Sequence, residues 1–141
     1  MGAWGKLAFD NDHACDWAAD IGYEKASNAQ ALKLIDNVFK NIEKVGNGDL
    51  DAPLAEEGLA ACEVLARLRG NFGYENAYTE ALDNWVRASK LIPSADLLSR
   101  ANTAIDSILR ENSELRGLWE EDDGDEWRAT IEDLRARLLK K

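Results

Sequence analysis

Apolar residues recur every three to four positions through most of this chain, and almost nowhere do they alternate with polar ones. That period restricts the chain to amphipathic helices, because a half-buried strand needs a period of two. The only prolines, Pro53 and Pro93, both stand where a helix could begin rather than inside one. We therefore read an all-α fold, an irregular bundle of about six helices, as one domain over residues 1–141 with 1–11 as an arm packed on the bundle. The first helix follows Asp10-Asn11-Asp12 and runs to about Tyr23, and the second runs from about Ser27 to Val45. The second carries Ala31, Leu32, Ile35, Val38, Phe39 and Ile42 on one face, and Gly46-Asn47-Gly48 ends it.

The third helix begins at Pro53 with Asp51 as cap. Leu54, Leu59, Ala61, Cys62, Val64, Leu65, Ala66 and Leu68 make it apolar on more than one face, with few charged interruptions. A helix of that kind belongs at the centre, contacted from two sides. A fourth helix is expected over about 77–91 and a fifth from Ser94 with Leu97, Ala101, Ile105 and Ile108 inward. The last starts near Asp125 with Trp127, Ile131, Leu134 and Leu138 inward. Asp12, Pro53 and Ser94 lie 41 residues apart, so three successive helical hairpins are the alternative arrangement.

Charge narrows the function. The chain has 17 basic and 27 acidic side chains, a formal net charge of -10. Nucleic acid is excluded as a general partner, since such binding needs Lys and Arg to neutralise phosphates, and an anionic lipid surface is disfavoured likewise. No apolar run approaches the roughly 20 residues that span a bilayer, and no charged, then apolar, leader opens the sequence. Two cysteines, Cys15 and Cys62, make no disulfide framework; the expected location is the cytoplasm, with both thiols on apolar faces as small hydrophobes.

The least generic segment is Met1-Gly2-Ala3-Trp4-Gly5, followed by Phe9-Asp10-Asn11-Asp12 and Asp16-Trp17. Trp4 and Phe9 are costly to leave exposed, and Asp10, Asn11 and Asp12 suit the free N–H groups of a first helical turn. The favoured reading is a plug: two rings entering the bundle and a polar trio capping the helix. This opening resembles that of an uncharacterised family of small bacterial proteins, a domain of unknown function. Trp4, Gly5, Phe9, Asp10, Asn11, Asp12 and Trp17 match it, whereas Leu7-Ala8 stands where that family often has Gly-Pro. The resemblance implies a helical, bacterial, cytosolic protein and supplies no catalytic residues.

No catalytic or metal motif assembles. His13 is the lone histidine; with Asp10, Asp12 and Asp16 nearby it is read as part of a capping cluster, since no His-Glu-x-x-His or Cys-x-x-Cys occurs. Gly46-x-Gly48 and Gly70-x-x-Gly73 lack the fingerprint and preceding strand of a phosphate loop. Asn47-Gly48-Asp49-Leu50-Asp51 fails as a calcium loop, because Leu54 falls where the bidentate Glu belongs. Trp85, Trp119 and Trp127 fall on packing faces. No cofactor is expected.

The sharpest charge feature is Glu120, Glu121, Asp122, Asp123, Asp125 and Glu126, six carboxylates in the seven residues 120–126. Three readings stand: a solvated loop whose last acids favour the following helix, a cation site without specified ligand spacing, or a docking surface for a basic protein. The functional expectation is a small, non-enzymatic protein-binding module, of immunity or antitoxin type, that blocks a basic toxin surface with those six residues. The alternative is an enzyme or small-ligand-binding protein using Trp4, Phe9, Asp10, Asn11, Asp12 and His13.

Overall fold

A computed structural model describes residues 5–140, and among them the regular elements are seven helices. They are α1 (Asp12–Ala19), α2 (Asn28–Val45), α3 (Ala52–Leu68), α4 (Glu80–Ser89), α5 (Ala95–Ile108), α6 (Glu114–Glu120) and α7 (Gly124–Leu139). Short polar side chains open most of them. Asn11, Ser27, Asp51, Ser94 and Ser113 each accept a hydrogen bond from the free N–H three residues on. Ser27 and Gln30 complete a reciprocal capping box at α2.

The centre of the bundle is α3, which touches every other helix. Its small residues make that possible. Ala55, Ala60, Ala61, Cys62 and Ala66 are fully buried, and a Cβ at Gly58 would lie 2.7 Å from Ile42 Cδ1 of α2. Around this thin rod α2, α5 and α7 supply the bulk: Ile35, Phe39, Ile105, Ile108 and Leu138 are completely buried, as is Leu65 of α3 itself. Each such side chain contributes about 1.5–3 kcal/mol relative to exposure.

Three expectations need correcting. The first helix stops at Ala19 rather than Tyr23, because Ile21 and Gly22 both donate to Ala18 O and turn the chain. The segment before 120 contains α6, so seven helices replace about six. Seven residues are too few to show a period, and α6 is held by tertiary contacts: Leu115 and Trp119 are buried, Leu50 N donates to Asn112 O, and Glu114 N donates to Leu50 O. The three-hairpin arrangement fails at its first pair, since α1 packs on α3 and α4 instead of forming a hairpin with α2. No helix among the described residues is long and apolar enough to cross a membrane.

Candidate functional site

The N-terminal motif folds onto itself. Phe9 is buried, Asp10 accepts from Leu7 N at 3.2 Å, and Asn11 caps α1 through Ala14 N at 2.7 Å while its amide donates to Ala8 O. Asp12 stands in the first turn of α1, and Trp17 packs half-buried on the core. A Cβ at Gly5 would overlap the Asp10 carboxyl. Trp4 lies outside the described residues. His13 is exposed, with Nε2 2.5 Å from Glu57 Oε2 of α3. Among the described residues no three His, Cys, Asp or Glu side chains gather as a metal set.

The cysteines differ from each other. Cys62 is fully buried against Ala101 O. Cys15, expected inside, is only partly buried, and its thiol donates to Phe9 O at 3.1 Å. Burial and then the charges of Asp12, Asp10 and Asp16 raise its pKa, which disfavours the reactive thiolate.

The acidic run forms the tip of the α6–α7 hairpin, over a stacked pair of indoles: the Trp119 and Trp127 rings lie 6.4 Å apart and 9° from parallel. Its six carboxylates divide. Glu120 holds Arg116 of α6 and Arg128 of α7, while Lys6 pairs with Glu126 and lies 4.0 Å from Asp123. Glu121, Asp122 and Asp125 are exposed and have no ion pair among the described residues. Glu56, on the neighbouring turn of α3, shares a small cleft with Lys6, Asn11, Trp119 and Trp127. Burial raises the pKa of its carboxyl. This end of the bundle therefore collects the start of α1, the first turns of α3 and the hairpin tip into one acidic face.

The second chemically unusual place is inside. Glu63 and Arg67 lie one turn apart on α3, both 1% exposed, and Asp83 of α4 is 2% exposed. Arg67 Nη1 donates to Asp83 Oδ1 at 3.1 Å and to Tyr74 O at 2.9 Å, and its Nη2 lies 3.3 Å from Glu63 Oε2. Thr79 donates its hydroxyl to Asp83 at 2.7 Å. Arg137 of α7 closes the set: Nη2 and Nη1 donate to Glu63, and Nε donates to Asp133 at 2.8 Å. The Arg67 guanidinium lies 5.8, 5.7 and 4.8 Å from the ring centres of Phe9, Phe72 and Tyr74, an arrangement that favours a desolvated cation. Burial pushes the Glu63 carboxyl above its ordinary range against the pull of Arg137, and burial does the same to Asp83 against Thr79 and Arg67.

The two buried acids, Glu63 and Asp83, balance Arg67 and Arg137, with Asp133 outside in solvent, so the cluster ties α3, α4 and α7 together without a net buried charge. A cavity of about 250 Å³ beside it is lined by Glu63, Tyr74 and Arg137. Sequence reading passed over these groups as the few charged interruptions of an apolar helix. The available signal was the i, i+4 spacing of Glu63 and Arg67 inside a stretch with no solvent-facing side.

A family model described as a domain of unknown function, DUF4259, matches residues 2–130. No curated protein and no solved structure matches the chain.

Proposed function

The chain belongs to the DUF4259 family, a domain of unknown function, and from that premise we propose that it is a non-enzymatic, acidic protein-binding module of the bacterial cytosol. Its partner is a basic protein, and the mode is that of an immunity or antitoxin-like protein covering a positively charged surface. The observation that carries this reading is the division of the hairpin tip. Glu121, Asp122 and Asp125 stand exposed without a cation partner among the described residues, while Glu120 and Glu126 hold the tip in place through Arg116, Arg128 and Lys6. A rigidly mounted, uncompensated charge steers a basic partner and limits the ordering cost of docking.

The alternative based on the N-terminal motif has less support. Asp10 and Asn11 already serve backbone groups, His13 is engaged by Glu57, and Phe9 is buried. The test is capture of the partner from the native host, then association kinetics over a salt series for the wild type and the Glu121→Gln/Asp122→Asn/Asp125→Asn variant. The expected result is association slowed several-fold at low salt, with the gap closing as the Debye length falls to about 8 Å. Equal rates at every salt concentration would remove the hairpin tip from the interface.

A further inference from the structure

A groove of about 410 Å³ runs between α1 and α4, and its lining shares no residue with the hairpin tip or the buried cluster. Its floor is made of small or flat apolar groups, chiefly Ala18 and Ala19 of α1 and Ala81 and Leu82 of α4. Two tyrosines stand at its sides, Tyr23 at 77% and Tyr78 at 59% exposure, both unusual for large rings on an otherwise polar surface. The turn after α1 is pressed onto α4: a Cβ at Gly22 would lie 2.7 Å from Leu82 Cα. The two walls are thus fixed relative to each other.

The charge along this groove is mostly acidic. Asp12, Asp16 and Asp20 follow each other at intervals of four along the exposed edge of α1 and its end, and Glu24 continues them. Glu80 lines the α4 side. None of these five has an ion pair among the described residues, and Arg87 of α4 is held by Glu75. Of these five acids only Glu80 lines the groove itself; Asp12, Asp16, Asp20 and Glu24 stand on the α1 side outside its lining, as does Lys25.

We propose that this groove takes a basic amphipathic helix of the partner protein, a helix whose apolar face enters between Tyr23 and Tyr78 and whose Lys or Arg side chains meet the α1 and α4 carboxylates. The proposal rests on the protein-binding reading and names a second anchor for it. A helix is the occupant that fits. Two helix walls with an alanine floor let a third helix approach at a normal interaxial distance of roughly 8–10 Å, and the volume accepts one or two large side chains at i, i+4 spacing. The rim selects cations, since an acidic or neutral segment would desolvate the carboxylates without pairing them.

The probe is a synthetic Leu/Ala/Lys peptide designed as an amphipathic helix, titrated into the full-length ¹⁵N-labelled chain beside a scrambled isomer of the same composition. The expected result is saturating shifts at the Ala18, Ala19, Gly22, Ala81 and Leu82 amides, with affinity at least about tenfold above the scrambled peptide, a 1.4 kcal/mol difference. Ala81→Arg, at an exposed position, abolishes those shifts and leaves the remaining spectrum in place. Equal binding of the scrambled peptide overturns the groove as a helix site. Shifts confined to residues 120–126 also overturn it and keep the acidic-face reading, whereas shifts nowhere remove both. Concentration-dependent shifts at the groove without peptide would assign it to a second copy of this chain and overturn the basic occupant.

Discussion

Replacing Arg67 by Met separates the energetic roles of the buried cluster. Met approximates the length and bulk of the arginine stem, so the contacts with Phe9, Phe72 and Tyr74 lose charge more than volume. What disappears is the cation between Glu63 and Asp83, two carboxylates with 1% and 2% exposure. Breaking a buried pair by removing one partner costs about 3–5 kcal/mol, against a typical domain stability of roughly 5–15 kcal/mol. Arg137 still holds Glu63 and Thr79 still holds Asp83, which places the expectation at the lower end of that range. The sign of its pH dependence follows from the same geometry. Both carboxyls already lie above their ordinary pKa because of burial, and without Arg67 they rise further. The folded variant then binds protons that the unfolded chain releases, so its deficit is largest near pH 7 and shrinks as the pH falls toward 5. Urea unfolding followed by the fluorescence of the buried tryptophans reports this directly. Arg67→Met/Asp83→Asn is expected to lose less than the sum of the single variants, because the neutral amide that replaces the Asp83 carboxylate leaves no orphaned charge there. A loss below about 1 kcal/mol that is flat with pH would show the cluster to be solvated, and the argument from burial would fail.

Phe9→Ala should lower stability by about 3–5 kcal/mol in the same assay, because the ring is 1% exposed and also covers Arg67. Wild-type stability would mean the N-terminal motif is not a plug. Hydrogen bonds from Arg100 and then Lys40 hold the Asp36 carboxyl below its ordinary range. Its stabilisation is therefore present above roughly pH 4 and is lost as the pH falls through the lowered value. Asp36→Asn should be less stable than wild type at pH 7, and the two should converge as the pH falls through the lowered value.

What could be read from the sequence was whatever the chain encodes locally. Asn11, Asp51 and Ser94 stand at helix starts because their short side chains reach the N–H three residues on, a contact that spacing alone announces. The inward faces of α2, α5 and α7 follow from period, and Leu65 and Ile105 are buried as the pattern requires. What stayed hidden depends on distant partners. The seven residues of α6 are helical because Leu50 and Asn112 clamp the loop before them, and Glu114 Oε1 accepts from Ala52 N at 2.7 Å. Glu63 is tolerable inside α3 because Arg137, 74 residues later, arrives beside it and adds its hydrogen bonds to the charge of Arg67. The acidic run was legible as composition, but its division into paired and unpaired carboxylates needed Lys6, Arg116 and Arg128 in place.

That division separates stability from recognition within neighbouring residues. Every arginine donates to a carboxylate or a carbonyl of this chain, down to Arg69 on Lys140 O and Arg110 on Gly46 O. The arginines therefore act as internal clamps, and an acid held by one contributes little field beyond its partner. Glu120 bridges two of them, Arg116 and Arg128, and joins α6 to α7 at 42% side-chain exposure. Glu121, the next residue, holds no cation among the described residues. Glu120→Gln should accordingly cost up to about 1 kcal/mol, the range for exposed pairs, and lower the melting temperature by a few degrees. Its effect on the association rate with a basic partner should be slight, since the substitution also frees two guanidinium groups that screen the same face. Glu121→Gln should leave the melting temperature unchanged and slow association at low salt. Thermal unfolding and salt-dependent kinetics on the two variants give a two-by-two outcome. If Glu120→Gln slows association as much as Glu121→Gln does, pairing inside the chain does not decide which carboxylates a partner senses, and the assignment of recognition to the unpaired acids fails.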